Sequence, residues 1–145
     1  METSFIWPVR VYFEDTDAGG IVFYANYLKF FERARTEWLR SGGIAQSTLA
    51  ETFNIAFVVM RTSLDYHCPA KLDNELKLTV TVERQGRASV DFLQQAWRDE
   101  VAGTAPTLVA TGRIKVACVD RHDLRPRPLP DSVRTFTQRT LERQS

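Results

Sequence analysis

The feature that most constrains this chain is an unusually wide apolar arc on one predicted helix. Between residues 24 and 40 the apolar side chains follow a helical spacing of about 100° per residue. One half of the helical wheel is apolar and carries Tyr24, Tyr27, Leu28, Phe30, Phe31, Ala34, Trp38 and Leu39. Gly42 and Gly43 follow and favour helix termination. An arc this wide exceeds what a helix on a flat surface requires, so the pattern predicts a helix enclosed by a curved sheet.

Five segments are predicted to be strands, most of them because apolar and polar residues alternate. They are Val9 to Phe13, Val58 to Tyr66, Leu76 to Val82, Ala88 to Arg98 and Leu108 to Val119. No helical pattern separates the last three, so they predict an antiparallel meander. The prolines at 126, 128 and 130 end the sheet, and a short helix is predicted near 131–142.

The order of a strand, a long helix and four further strands predicts an α+β fold. The chain has 145 residues, a length that suits a single domain spanning 1–145 with its own core. Its composition, 43% hydrophobic and 26% charged, is that of an ordinary folded protein.

Charge and segment composition limit the classes of partner. Lys and Arg number 19 against 18 Asp and Glu, which argues against a general nucleic-acid or membrane partner. No segment approaches the roughly 18 apolar residues that a membrane span needs, and Met1 to Arg10 lacks a signal-peptide core. Cys68 and Cys118 have no metal-ligand spacing and are expected to be reduced thiols. We therefore expect a cytoplasmic protein.

The segment from Val11 to Glu37 contains groups that permit an acyl-transfer site without requiring one. It combines an acidic strand end, a glycine turn at Gly19-Gly20 and a helix start. A helix amino terminus offers unpaired N–H groups and a positive dipole end, which suit a developing oxyanion. A carboxylate beside it could attack a carbonyl or activate water. From the residues alone, an acyl-transfer site and an acidic surface turn before a core helix both remain open.

The same segment carries a long motif of a known family. The motif residues are Asp15-x-Asp17-x-x-Gly20-x-Val22-x-Tyr24-x-x-Tyr27 and then Phe31-Glu32-x-Ala34-Arg35. This run resembles the signature of 4-hydroxybenzoyl-CoA thioesterase-like hotdog proteins, and most of all the YbgC type, often associated with the tol-pal system. The stretch from Leu64 to Asp73 and the late prolines are also similar. The resemblance implies a hotdog fold, in which a curved antiparallel sheet of five strands wraps around the long helix.

The resemblance also implies roles for individual residues. Asp17 is expected to be the nucleophile or general base of thioester cleavage, and the backbone N–H of Tyr24 to polarise the thioester carbonyl. Asp15 and Glu14 are expected to be structural or solvated. Many YbgC-type proteins carry His at the position of Tyr24, whereas the 4-hydroxybenzoyl-CoA enzyme has Tyr. The substrates of either subfamily therefore remain open.

Other charged residues give weaker expectations. Arg113, Lys115 and Arg125 belong to a basic stretch that could bind the phosphates of coenzyme A, with a solvated basic edge as the alternative. Arg35 lies in the apolar half of the helical wheel and is expected to have a carboxylate or backbone partner. His67 and His122 are expected to be structural or solvated.

The predicted function is hydrolysis of an acyl-CoA to a carboxylic acid and coenzyme A, without a metal or other cofactor. The resemblance implies a homodimer or homotetramer, because hotdog sites form between subunits whose sheets join edge to edge. An acyl carrier protein is a further candidate partner. A hydroxyacyl dehydratase is disfavoured because its catalytic His is missing near the helix start. A non-catalytic acyl-CoA or acyl-carrier-protein binder of phospholipid metabolism and a structural partner of the envelope machinery stay open.

Overall fold

A computed structural model describes residues 5–145, so the expectation for the amino terminus falls partly, over 1–4, outside the described residues. The elements in chain order are β1 (Phe5–Arg10), a single 3-10 turn (Phe13–Asp15), α1 (Asn26–Ser41), α2 (Gln46–Phe53), β2 (Ile55–Tyr66), β3 (Glu75–Gln85), β4 (Ser89–Arg98), β5 (Thr107–Asp120) and α3 (Asp131–Gln144). This order confirms the α+β prediction and adds α2, which the sequence did not predict. None of the described helices is long and apolar enough to cross a membrane.

The described strands form one antiparallel sheet of five strands in the order β1-β3-β4-β5-β2. The meander predicted for β3, β4 and β5 is confirmed. Along the strands of this meander, buried side chains alternate with partly buried ones, and the buried set includes Leu76, Leu78, Val80, Val82, Val90, Phe92, Ala96, Ile114 and Val116. β1 and β2 are the two edges of the sheet within residues 5–145.

The wide apolar arc of α1 is buried on two sides. On the sheet side, Gly112 of β5 lets α1 approach so closely that an added Cβ would lie 3.0 Å from the ring of Phe31. On the same side, the ring of Trp38 lies 5.4 Å from that of Phe92 on β4. On the other side, the ring of Trp38 lies 4.7 Å from that of Phe136 on α3. Helix α1 therefore packs against the curved sheet, as the width of its arc predicted, and α3 covers its other side, which the arc did not predict.

The first strand ends earlier than the alternation predicts. The predicted strand Val9 to Phe13 is wrong at its carboxyl-terminal end, because β1 stops at Arg10 and Phe13 opens the 3-10 turn with 81% of its surface exposed. The cause is a hydrogen bond of 2.8 Å from the N–H of Tyr12 to the carboxylate of Asp15. This bond turns the chain out of the sheet toward α1.

Strand β2 contains a β-bulge, after which odd- and even-numbered side chains exchange the faces of the sheet on which they lie. Its pairing with β5 shifts between Val59 and Arg61. The predicted alternation, which grouped Val58 and Met60 with Leu64, is therefore wrong before the bulge, because one extra residue exchanges the two faces. Val59, rather than Val58, lies on the α1 side of the sheet together with Leu64.

Helix α3 is attached to β3 by its last residue. The side-chain amide of Gln144 accepts the N–H of Val82 at 3.0 Å and donates to the carbonyl of Val82 at 2.6 Å. The amide thus pairs with both backbone groups of one strand residue, as a neighbouring strand would. This contact fixes the end of α3 against the sheet.

Candidate functional site

The loop between β1 and α1 is a small hairpin that presents Asp17. The N–H of Asp17 donates to the carbonyl of Ile21 at 2.8 Å, and Thr16 forms a β-bridge with Val22. The N–H of Gly20 donates to the carbonyl of Asp17 at 3.0 Å, and the φ of Gly20 is 80°, a conformation that favours glycine. The backbone of Asp17 is therefore held on both sides by the hairpin.

The side chain of Asp17 is exposed and oriented. Its Oδ1 atom accepts the N–H of Gly19 at 2.8 Å. Its Oδ2 atom has no hydrogen-bond partner among residues 5–145. One oxygen thus fixes the carboxylate, and the other is free to contact a substrate or a water molecule.

Asp15 has the opposite environment. Only 8% of it is exposed, and its carboxylate accepts the N–H of Tyr12 and the side-chain amide of Asn26, both at 2.8 Å. Its carbonyl accepts the N–H of Phe23 at 2.9 Å. These contacts confirm a structural role for Asp15 and tie the loop to the first residue of α1, while Glu14 is exposed.

Two backbone N–H groups at the start of α1 are unpaired among residues 5–145. The N–H groups of Tyr24 and Ala25 make no hydrogen bond to any described residue. The carbonyls of the same two peptide units are bonded, since Phe23 accepts the N–H of Asn26 at 2.8 Å and Tyr24 accepts the hydroxyl of Tyr66 at 3.0 Å. A bonded carbonyl polarises the N–H of its own peptide. The arrangement offers two oriented donors to an oxyanion.

Tyr66 is a site residue that the sequence reasoning missed. Its ring lies 6.3 Å from that of Tyr24 and 5.7 Å from that of Tyr27. Burial raises the pKa of Tyr66, and burial also raises the pKa of Tyr27 to about 12, so both hydroxyls remain protonated donors at neutral pH. The one available signal was the place of Tyr66 in the second family-like stretch, which does not specify a contact with Tyr24.

The three basic residues of the predicted phosphate site do not cluster within one chain. Arg113 and Lys115 lie near each other on β5, where Arg113 Nε is 3.4 Å from Glu83 Oε1. Arg125 lies in the loop after β5, where its carbonyl accepts the N–H of Asp120 at 2.8 Å. Along the extended strand, Arg113 and Asp120 are about 23 Å apart at about 3.3 Å per residue. Arg125 thus belongs to a different part of the surface.

The prediction that Arg35 has a carboxylate or backbone partner is wrong. Arg35 Nη1 donates to Oε1 of Gln94 at 2.9 Å, so its partner is a neutral amide and not a carboxylate or a backbone group. Gln94 is fully buried and donates its Nε2 to the carbonyl of Phe31 at 3.0 Å. Since this second bond fixes the amide, Oε1 necessarily faces Arg35. Burial lowers the pKa of Arg35.

The histidines and cysteines form no metal site within residues 5–145. No group of three His, Cys, Asp or Glu residues in that range could hold an ion. His67 Nε2 lies 3.0 Å from Thr111 Oγ1, and His122 is exposed in the loop after β5. Cys68 and Cys118 are free thiols, as predicted.

Comparisons with known proteins agree with this geometry. The family model described as the thioesterase superfamily matches residues 19–105. The acyl-CoA thioesterase YbgC of Haemophilus influenzae is 42% identical over 134 residues, which cover 92% of this chain and 94% of the relative. The acyl-CoA thioester hydrolase YbgC of Escherichia coli O6:H1 is 40% identical over 131 residues, which cover 90% and 93%. The crystal structure of a hypothetical protein from Aquifex aeolicus matches with a TM-score of 0.81 at 27% identity, over 92% of this chain and 98% of that one. The chain therefore belongs to the thioesterase superfamily of hotdog proteins, as its motifs indicated.

Proposed function

We propose that this thioesterase-superfamily member hydrolyses an acyl-CoA to a free carboxylic acid and coenzyme A, with Asp17 as its catalytic carboxylate. The observation that carries the proposal is the hairpin. It presents an oriented, exposed carboxylate on the same short loop that ends at the unpaired N–H groups of Tyr24 and Ala25. The relatives named acyl-CoA thioesterases supply the substrate class.

The N–H groups and the carboxylate of this loop have separate roles in thioester hydrolysis. The N–H of Tyr24, supported by that of Ala25, binds the thioester oxygen and stabilises the negative charge that develops on it. The carboxylate of Asp17 either attacks the carbonyl carbon or removes a proton from an attacking water molecule. The carbon–sulfur bond breaks, and coenzyme A leaves as the thiol with a proton that comes from water. In the route in which Asp17 attacks, the water molecule then hydrolyses the mixed anhydride between the acyl group and Asp17, which releases the acid and frees the carboxylate. Both routes consume one water molecule and need Asp17 ionised.

The proposal extends to the setting of the reaction. The whole chain acts as one hotdog domain with α3 as its carboxyl-terminal helix, and the reaction takes place in the cytoplasm. An acyl carrier protein presents the same thioester as coenzyme A and is a proposed alternative donor. Thiol release from short, long and aromatic acyl-CoAs tests the activity and separates an enzyme from a non-catalytic acyl binder.

The proposed assembly is a two-fold dimer joined along β2, with a homotetramer built from two such dimers. β2 pairs with β5 on one side and is otherwise an edge among the described strands. Val59 and Met60, in the middle of this strand, are 52% and 62% exposed. Edge strands with exposed apolar residues are normally covered or paired. Antiparallel pairing of two β2 strands would supply hydrogen-bond partners for the free backbone groups of this edge and would cover these two side chains.

This pairing supports Arg125 as a phosphate ligand. Antiparallel strands would place the Ile55 end of one β2 beside the Tyr66 end of the other. The loop that carries Arg125 lies at the Ile55 end, because Asp120 pairs with Ile55. The loop that carries Asp17 lies at the Tyr66 end. Arg125 of one copy would thus approach Asp17 of the other, where the coenzyme A of a bound thioester must lie.

Replacing Asp17 tests the catalytic assignment. Asp17→Asn is expected to fold normally and to lower kcat by about 10²–10⁴-fold, the usual contribution of a positioned acid or base, and by more if Asp17 is the nucleophile. Asp15→Asn is the matched control and should have a milder effect on kcat but lower the melting temperature. A folded Asp17→Asn protein with near wild-type thiol release would contradict the assignment of Asp17 as the catalytic carboxylate.

Two Tyr→Phe variants test how the carbonyl is polarised. Tyr24→Phe keeps the N–H and should retain kcat within about tenfold, because losing an oxyanion donor costs about 10²–10³-fold. Tyr66→Phe removes the hydrogen bond to the Tyr24 carbonyl and should lower kcat more than Tyr24→Phe does, with little change in KM. A loss of about 10²-fold or more in Tyr24→Phe would show instead that its hydroxyl is catalytic.

Single alanine variants test the phosphate site. Arg125→Ala is expected to raise KM for acyl-CoA several-fold and to weaken the salt dependence of KM, with kcat nearly unchanged. Arg113→Ala and Lys115→Ala are the comparison, since they lie elsewhere on the surface. An unchanged KM at low and high salt in all three variants would make these residues a solvated basic edge.

Light scattering tests the assembly. At micromolar concentration the protein should have the mass of a dimer or a tetramer, and Val59→Lys should lower that mass by placing a charge in the proposed interface. Val101→Lys is the control, because Val101 is 79% exposed in the loop between β4 and β5. A fully active wild-type monomer would contradict both the dimer and the shared site.

A further inference from the structure

A cavity of about 170 Å³ lies between the carboxyl-terminal half of α1, α3 and the first half of β2. Most of its wall is apolar and is formed by Trp38, Phe57, Val90, Phe92, Val116 and Val133. An apolar cavity of about 150 Å³ is known to accommodate one benzene molecule. The volume therefore suits one aromatic ring or a chain of about six carbons.

Arg35 lines this cavity as a cation without a paired carboxylate. Its Nη1 bonds the neutral amide of Gln94, and its Cζ lies 6.0 Å from the ring centre of Phe92. Glu32 also lines the cavity, but its carboxylate accepts the hydroxyl of Thr36 at 2.7 Å and forms no ion pair with Arg35 in the described part of the chain. A guanidinium group has five N–H donors in a fork that matches a carboxylate. Most of the donors of Arg35 are thus left for a ligand.

Thr137 of α3 adds a second unpaired donor to the same wall. It is fully buried, and its Oγ1 atom makes no hydrogen bond to any residue of 5–145. Thr140, one turn further along α3, instead donates to the carbonyl of Phe136 at 3.0 Å. Buried hydroxyl groups are normally paired. The unpaired hydroxyl therefore points to an acceptor supplied by whatever occupies the cavity.

We propose that this cavity binds a carboxylate carried on one ring or on a chain of about six carbons. The carboxylate oxygens accept hydrogen bonds from Arg35 and Thr137, and the apolar part packs against the aromatic and valine wall. A carboxylate fits better than a neutral acceptor because it compensates the charge of a partly buried guanidinium.

Two molecules could carry this group. One is a free carboxylic acid of the kind that thioester hydrolysis releases. The other is the acyl group of a bound thioester that has a second carboxylate at its far end. This second source of the carboxylate rests on the proposed function. The residues that line the cavity do not include Asp17 or any other residue of its hairpin, and Arg35 lies nine residues, about 14 Å, beyond Asn26 along α1. Binding of a free acid in the cavity therefore does not require Asp17.

Calorimetric titration of the full chain with benzoate and with hexanoate tests the first source. Both acids should bind saturably, and benzamide and hexanamide should bind at least about tenfold more weakly because they lack the charge. The second source is tested by comparing kcat/KM for adipyl-CoA and hexanoyl-CoA, which differ only in the terminal carboxylate. If the acyl group is the source, adipyl-CoA is preferred and Arg35→Met removes the preference.

Three variants locate the site. Arg35→Met keeps an apolar stem and should weaken acid binding by more than about tenfold. Thr137→Val has nearly the same shape and should weaken binding several-fold while raising the melting temperature of the unliganded protein, because an unpaired buried hydroxyl is removed. Thr137→Val also keeps the test valid if Arg35→Met does not fold. Asp17→Asn should bind the acids as the wild type does.

The outcomes separate this proposal from the proposed function. Acid binding that is retained in a protein without thioesterase activity would support the cavity and refute the enzyme. Acid binding that is lost in Asp17→Asn would place the acids at the hairpin and overturn the cavity proposal. Equal affinity for acids and amides, unchanged affinity in both cavity variants, or no binding together with no adipyl preference would also overturn it.

Discussion

The buried carboxylate of Asp15 is the interaction on which the site depends. It joins the N–H of Tyr12, at the exit of β1, to the side chain of Asn26, at the start of α1. Hydrogen bonds to a charged group contribute about 1.5–3 kcal/mol each, and a buried carboxylate without them would be strongly destabilising. Asp17 can be exposed two residues later because Asp15 already holds the loop. Two carboxylates of one short segment thus have separate tasks, set by their surroundings.

A positioned helix terminus is useful only if the helix itself cannot move. Gly112 permits direct contact between α1 and β5, and Gln94 bonds both the backbone of Phe31 and the side chain of Arg35. These contacts hold the middle of α1, while Tyr66 holds the carbonyl of Tyr24, two residues before α1 begins. The same enclosure leaves the cavity beside Arg35, so one packing arrangement produces both the N–H donors and a second binding space.

Periodicity predicted the long helix and the meander because both are long, regular and set by local sequence. It failed where a single tertiary contact decides the outcome. The bond between Tyr12 and Asp15 ends β1 early, one extra residue in β2 reverses its facing, and the short α2 has Leu49 as its one buried residue. Asp17 and Tyr24 came from the family resemblance, since spacing alone left an acidic surface turn open. Tyr66 and Tyr24 are separated by 42 residues in the sequence, and local sequence patterns carry no information about contacts between residues so far apart in the chain.

The most direct test of the account is the carbonyl stretching frequency of a thioester bound to Asp17→Asn, in which hydrolysis is blocked. Infrared difference spectra of an acyl-CoA with and without carbon-13 at the carbonyl isolate this band. The frequency should be lower in the bound than in the free thioester, because the N–H groups of Tyr24 and Ala25 polarise the bond. The shift should be smaller when Tyr66→Phe is added to Asp17→Asn. A bound thioester with the frequency of the free one would contradict the assignment of the helix start as the oxyanion site.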